Sequence, residues 1–244
     1  LIANPEEEVP PEVPAGEEAG DYNCLLVRAG GQQVLFDAGL GERADYAQGR
    51  LLENLAAMGL GPGDIDRLVI THADGDHIGG ILDEGGEPAF PRARYILWQE
   101  AWDYWSSDAP TGDWPQERVD FVRATYAAVE DRLDLVEAGA DFLPGLRLVP
   151  AVGHKADHVA VRVTSGGESL LHRADGAVHP LFWDFPDLYA VYDLDPEGAL
   201  ACKRRLLDGA AAEGTLVFAP HFPFPALGRI QKAEKGWAWL PVGQ

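Results

Sequence analysis

Sulfur and positive charge are what this chain has least of. Its two cysteines, Cys24 and Cys202, stand far apart and outside any C-x-x-C spacing, which indicates neither a disulfide framework nor a thiolate metal site. Both read as half-buried structural thiols. Only 19 lysines and arginines face 40 aspartates and glutamates, for a formal net charge of −21. Such a field repels phosphate backbones, and no local basic groove interrupts it, so no nucleic-acid partner is expected. No apolar run approaches the ~20 residues that a membrane-spanning helix needs, so no membrane partner is expected either. A sequence repeat of fixed period is also missing, which argues against solenoids and propellers.

What is there is a chain of 244 residues, 46% of them hydrophobic, enough for one domain with a sizeable core. Residues 1–20 differ in composition. The stretch "NPEEEVPPEVPAGEEAG" is acidic, Pro-rich and poor in β-branched residues, so it is expected to form an extended arm ahead of a single domain over 21–244. No signal peptide is visible, and a cytoplasmic location is the expectation.

Short β-type runs separated by Gly, Pro and Asp dominate both halves: "NCLLVRA", "QQVLFDAG", "RLVITH", "RARYILW", "LRLVPAVGH", "HVAVRVTS", "ESLLHRAD" and "TLVFAPH". Helical spacing joins Leu51, Leu55 and Met58, and more clearly Val119, Val122, Tyr126 and Val129, with Asp113 and Gln116 as a capping box ahead of the second set. A third helix is expected with Asp195 as cap, Pro196 at its first position and Leu200, Arg204 and Leu207 along one side.

Against this background the histidines and acids are unevenly placed. His72 follows "RLVIT", His154 follows "LRLVPAVG", Asp175 follows "SLLHRA" and His221 follows "TLVFAP", so four potential ligands each stand just past a different strand. A fold can aim rigidly held ligands at one point from such positions. Within "THADGDHIGG", His72 and Asp74 share a face while the chain stays extended. Asp76 and His77 then leave the turn, where Gly79 and Gly80 permit close backbone packing. Together His72, Asp74, Asp76, His77, His154, Asp175 and His221 supply seven nitrogen and oxygen donors. That is too many for one tetrahedral ion and suits two ions sharing a carboxylate.

The motifs "THADGDHIGG", "VGHKADH", "RADGAVHP" and "APHFPFPALG", in that order behind "VLFDAGLG", resemble the metallo-β-lactamase superfamily. The resemblance covers roughly residues 21–230 and implies an α/β fold, an αββα sandwich with its metals at one edge. The segments "HPLFWDFPDL", "DLDPEGALACKRRLLD" and "HFPFPALG" further resemble the branch of lactonases and methyl-parathion-hydrolase-like enzymes. Carried over by position, His72, Asp74 and His154 would hold the first metal, Asp76, His77 and His221 the second, and Asp175 would bridge them. Two divalent ions are thus implied as cofactors, zinc by family. The implied chemistry is a metal-bound hydroxide attacking a small uncharged ester-like substrate, a lactone before a phosphotriester, with Asp76 orienting the nucleophile and relaying a proton. Asp37 in "FDAG" is either the residue that holds a ligand's orientation or a plain turn aspartate beside glycine.

The chain departs from the family pattern at Asp74, where a histidine is usual, giving H-x-D-x-D-H. A carboxylate there makes the site less positive and shifts preference toward manganese or iron. Direct ligation is expected, because an ionised carboxylate left unpaired beside other acids would be costly. Little sequence stands ahead of "NCLLVRA" for the strands that open the fold, so a further amino-terminal piece is expected.

For the substrate, the aromatic stretches "WQEAWDYWSSDAPTGDW" and "LFWDFPDLY" offer Trp102, Trp105, Trp183 and Phe185 as walls of an apolar pocket, with core packing as the plain alternative. Lys155 reads either as a cation for a substrate oxygen or as a solvated surface lysine. The expected partner is a small-molecule substrate, with a homodimer possible. Two rival functions stand beside the hydrolase. One is a mononuclear iron oxygenase of the persulfide-dioxygenase type using His72, His154 and Asp175; the other is an inactive metal-binding protein on the same scaffold.

Overall fold

The computed structural model describes residues 2–3, 21–41 and 49–243, so the expected arm over 1–20 lies, apart from Ile2–Ala3, outside the described residues. The chain divides into two compact units, Cys24–Leu148 and the combination of Leu1–Asn23 with Val149–Gln244. The short strand β1 (Ile2–Ala3) belongs to the second of these.

In the unit Cys24–Leu148, the strands β2 (Leu25–Ala29), β3 (Gln32–Phe36), β4 (Arg67–Val69), β5 (Arg94–Trp98) and β6 (Leu133–Val136) form a sheet in chain order. Strands β2 and β3 pair antiparallel across Gly30 and Gly31, both at positive φ, the conformation that a two-residue hairpin turn demands. The remaining pairs are parallel. Parallel strands need crossovers, and the helices α1 (Leu51–Ala57), α2 (Gly75–Ile78), α3 (Gln99–Ser106), α4 (Pro110–Asp113) and α5 (Gln116–Val129) lie in them. Parallel pairing also explains why β5 reads as a continuous apolar run and is buried from Tyr95 to Trp98. Helix α5 buries Val119, Val122, Tyr126 and Val129, the spacing that the sequence shows. The expected capping box does not form. Pro115 is the cap of α5, and Asp113 closes α4 and accepts a hydrogen bond from the Tyr104 hydroxyl instead. Of the Leu51, Leu55 and Met58 set only Leu55 is buried, because Met58 is the cap residue that ends the helix. This unit ends with β7 (Asp141–Leu143), which turns back onto β8 (Leu146–Pro150).

Strand β8 carries the chain into the second unit. There β9 (Val159–Ser165), β10 (Glu168–His172), β12 (Leu216–Phe218), β13 (Leu227–Lys232) and β14 (Trp237–Pro241) form a sheet, while β1 pairs with β11 (Tyr189–Ala190). Strands β10 and β12 are parallel neighbours with His172 opposite Phe218, so the segments 173–175 and 219–221 leave the sheet at the same edge. The short helix α6 (Leu181–Asp184) and the long α7 (Pro196–Glu213) complete the unit. Helix α7 starts as expected, with Asp195 accepting from the Gly198 amide at 3.0 Å and Pro196 at the first position. Its buried side differs from the expected one, running through Cys202, Lys203, Leu206, Leu207 and Ala210 and leaving Arg204 in solvent. Leu171, Trp183, Leu207, Val217, Phe222 and Trp237 belong to the core of this unit. No helix among the described residues is long and apolar enough to cross a membrane.

Strands β4, β5 and β6 are tied at one rim by charge. Asp134 accepts from Arg67 Nη1 at 2.9 Å and from Arg94 Nε at 2.8 Å. The Arg94 hydrogen bonds hold its carboxyl below the usual range, with Arg67 adding to the effect. A carboxyl depressed in the folded state contributes stability above its unfolded pKa and loses it as pH falls through the folded value. Asp134→Asn is therefore expected to cost roughly 1 kcal/mol or less at pH 7, since the pair is partly solvated, and nothing near pH 2. Urea midpoints of both proteins at the two pH values check this.

Candidate metal centre

In the unit Cys24–Leu148 the site residues hang from one buried carboxylate. Asp37, just past β3, adopts φ 59°, and its Oδ1 accepts from the Thr71 amide at 2.8 Å. Its Oδ2 accepts from the Thr71 hydroxyl and from His77 Nδ1, each at 2.8 Å. The Thr71 oxygen in turn lies 3.1 Å from His72 Nδ1. The hydroxyl proton is committed to Asp37, so that oxygen accepts the His72 Nδ1 proton. Both rings therefore carry hydrogen on Nδ1 and present Nε2 as the donor atom. His72 Nε2 lies 3.8 Å from Asp74 Oδ2, and His77 Nε2 lies 3.5 Å from Asp76 Oδ2. The glycines hold this turn against the loop after β3: a Cβ on Gly79 would come within 2.4 Å of the Leu40 carbonyl oxygen, and one on Gly80 within 2.3 Å of that of Ala38.

In the second unit His154, Asp175 and His221 meet. His221 Nε2 is 3.1 Å from Asp175 Oδ1, and His154 Nε2 is 3.7 Å from Asp175 Oδ2, so the carboxylate stands between two imidazoles. His154 Nδ1 donates to Asp193 Oδ1 at 2.8 Å and His221 Nδ1 to the Asp21 carbonyl at 3.0 Å, which again leaves Nε2 as donor atom. Gly153 makes room: at φ 130°, its Cβ would lie 2.2 Å from the Ala199 nitrogen at the start of α7.

Donor atoms sharing one ion at bond lengths of about 2.0–2.2 Å lie roughly 3–4 Å apart. All four spacings within the units meet that condition, and all four expected ligand histidines hold the tautomer that ligation requires. The other three of the seven histidines use their rings structurally. His158 donates from Nδ1 to the Ala151 carbonyl and accepts the Asp175 amide on Nε2, whereas His172 and His179 accept from the amides of Ala174 and Leu181. The thiols stay outside this chemistry, since burial pushes Cys24 up to about 12 and also raises Cys202.

The structure corrects several expectations. Asp74 is ion-paired: Arg118 Nη2 donates to its Oδ1 and, at 3.3 Å, to the Ala73 carbonyl. The cost of an unpaired carboxylate therefore gives no reason for Asp74 to ligate. Trp105 and Trp183 are interior packing residues, 2% and 0% exposed. The stretch around Trp105 is the helix α3, which turns Ala101 and Trp105 inward, and Trp183 stacks on Phe222 while its Nε1 donates to the Ala177 carbonyl. Trp102 stacks on Tyr126 of α5, and Phe185 packs against the core of its own unit. Phe182, 4% exposed, belongs to the same core; with Leu188, Tyr189, Leu200 and Lys203 it lines a cavity of only about 20 Å³ that includes His154 and Asp175. Lys155 is neither solvated nor offered to a substrate, because it is buried and donates to the Tyr192 carbonyl.

Reasoning from the sequence missed Asp193, His158, Arg118 and Arg173. Arg173 is buried with its guanidinium 5.3 Å from the Trp183 ring and 5.1 Å from that of Phe222, and burial lowers its pKa to about 10. Only the motif "VGHKADH" hinted at His158; nothing local marks the rest, whose partners are distant in the chain.

The sequence profile of the metallo-beta-lactamase superfamily matches residues 18–221 of this chain. A probable metallo-hydrolase of Mycobacterium tuberculosis is 29% identical over an alignment of 190 positions that covers 64% of this chain and 57% of that protein. Among solved structures, the dizinc quorum-quenching lactonase AidC, in complex with a product, superposes with TM-score 0.84 at 25% identity, over 91% of this chain and 80% of that one. The hydrolase AbOPH of the beta-lactamase superfamily gives 0.82 at 26% identity, over 90% and 78%.

Asp37→Asn tests the anchoring of His72 and His77 within the unit Cys24–Leu148. Asparagine has one acceptor oxygen where the carboxylate has two, so its NH2 must face either the Thr71 amide or the Thr71 hydroxyl and His77 Nδ1, all of which donate to Asp37, and apparent metal affinity is expected to fall about 10- to 100-fold. Chelator competition measures it.

Proposed function

This chain belongs to the metallo-β-lactamase superfamily, and from that premise we propose that it is a dinuclear metal-dependent hydrolase of small uncharged esters, lactones first. The observation that carries the two-ion reading is Asp175, a single carboxylate within reach of two ligand imidazoles, 3.1 Å from His221 Nε2 through both of its oxygens and 3.7 Å from His154 Nε2 through Oδ2, a position from which one carboxylate can serve two ions. His72, Asp74 and His154 would hold one ion and Asp76, His77 and His221 the other. Bound ions would acidify a water and polarise the substrate carbonyl.

The protein's own residues do the rest. Asp76 is partly exposed at the start of α2, and its carboxylate can take the proton of the attacking water and return it to the leaving alcohol oxygen. Asp37 and Asp193 keep His77 and His154 oriented throughout. The formal charge of −21 and the mainly apolar side chains beside His154 and Asp175, Leu188 and Leu200 among them, favour an uncharged substrate over a phosphodiester. AidC is a lactonase, and its likeness supports the lactone. The chain spans 57% of the length of the mycobacterial relative, so the substrate rests on charge and on the likeness alone. A second donor set, Asp76, His77 and His221, in addition to the first favours the hydrolase over the mononuclear oxygenase.

The purified protein is expected to bind close to two equivalents of metal, to lose activity on exhaustive chelation and to regain it on reconstitution. Medium-chain lactones and aryl esters are expected to exceed phosphodiesters in kcat/KM. One equivalent of iron, with oxygen uptake on adding a persulfide, would establish the oxygenase instead, and full activity after chelation would remove both readings. A nucleotide phosphodiester as best substrate would overturn the preference for an uncharged substrate.

A further inference from the structure

Asp74 caps α2 by position, yet its side chain makes no hydrogen bond to the helix amides. Its two oxygens are divided instead. Oδ1 is held by Arg118 from α5, 44 residues along the chain, while Oδ2 faces His72 Nε2 at 3.8 Å. Arg118 is itself fixed, with its guanidinium carbon 4.0 Å from the centre of the Trp114 ring and its Nη2 also bound to the Ala73 carbonyl. Trp114 Nε1 donates to the Tyr104 hydroxyl at 3.2 Å, and that hydroxyl donates to Asp113 Oδ2 at 3.0 Å. A chain of contacts thus runs from Asp113 through Tyr104, Trp114 and Arg118 to one oxygen of Asp74. Asp74 and Arg118 are both largely shielded, with side chains 17% and 27% exposed, so their charges act at short range with limited screening.

We propose that Arg118 is a positioning residue that makes Asp74 a one-oxygen, charge-compensated metal ligand. The proposal rests on the reading of the chain as a metalloenzyme. The geometry has two effects. With Oδ1 turned to the guanidinium, chelation through both oxygens is disfavoured and Asp74 offers Oδ2 to the ion, as an imidazole offers one nitrogen. The arginine also cancels the carboxylate's charge, so the Asp74–Arg118 pair is neutral, as a histidine in that place would be. The site then keeps its positive potential while gaining a hard oxygen donor, which favours manganese and iron relative to zinc without weakening carbonyl polarisation. The aromatic face under Arg118 holds the planar fork in register, a task a lysine ammonium would perform poorly.

The test is the size of the Arg118 effect in two backgrounds. Arg118→Gln leaves Asp74 its full charge and both oxygens for the ion, so it is expected to tighten one of the two zinc equivalents about tenfold and to leave the other unchanged, with Arg118→Lys, which keeps the charge but not the planar fork, giving a smaller change. In Asp74→His there is no carboxylate to release, so adding Arg118→Gln is expected to change the same equivalent much less. Affinities come from chelator competition on the metal-free protein, and cobalt(II) absorption bands report whether the coordination of one ion alone changes. Weakening of zinc binding by Arg118→Gln, a change of the same size in both backgrounds, or an equal change in both equivalents, would show Arg118 to be a merely structural residue. A wild-type protein that binds two equivalents and ignores Arg118→Gln overturns this inference while leaving the hydrolase intact; one that binds no metal overturns both.

Discussion

The buried carboxylate of Asp37 is the constraint on which the rest of the unit Cys24–Leu148 depends. It stands at a strained positive φ between the end of β3 and the turn after β4 and accepts three hydrogen bonds, one from a backbone amide, one from a hydroxyl and one from an imidazole. Each of these fixes something else. The amide bond ties the two strand ends together, the hydroxyl bond sets the tautomer of His72, and the imidazole bond sets that of His77. A carboxylate so placed is costly to bury unless every bond is made, so the local backbone and the donor geometry stand or fall together. The close approach of Gly79 and Gly80 to the loop after β3 is the steric side of the same arrangement.

In the second unit the equivalent work is divided among several groups. Parallel pairing of β10 with β12 brings the segments bearing Asp175 and His221 to one edge, and His158 then pins the Asp175 amide. Asp193 and the Asp21 carbonyl orient the two imidazoles. Orientation by several weaker partners rather than one buried anchor leaves this half without a single residue of the importance of Asp37.

The replacement of a histidine by Asp74 shows how a departure from pattern can keep its physics. Read in one dimension, the aspartate lowers the positive charge of the site. With Arg118 on its Oδ1, the pair carries no net charge, and the hard oxygen is what distinguishes it from imidazole.

The strands were legible in the sequence because alternation and apolar runs between Gly and Pro are local properties, as was the cap of α7, which spans only Asp195 to Gly198. The candidate donors were legible for a related reason: His72, His154, Asp175 and His221 each stand a few positions past a different strand, and Asp74, Asp76 and His77 follow His72, a spacing that survives in one dimension. The aromatic walls were misread because hydrophobic side chains at helical spacing look alike whether they face a cavity or the interior; Trp105 on α3 and Trp183 on α6 both turn inward. The sequence by itself determined which donor atoms this protein has and on which strand ends they stand. Tertiary structure alone decided their tautomers, their orienting partners and the charge on Asp74, because those depend on contacts between residues tens of positions apart that no local pattern records.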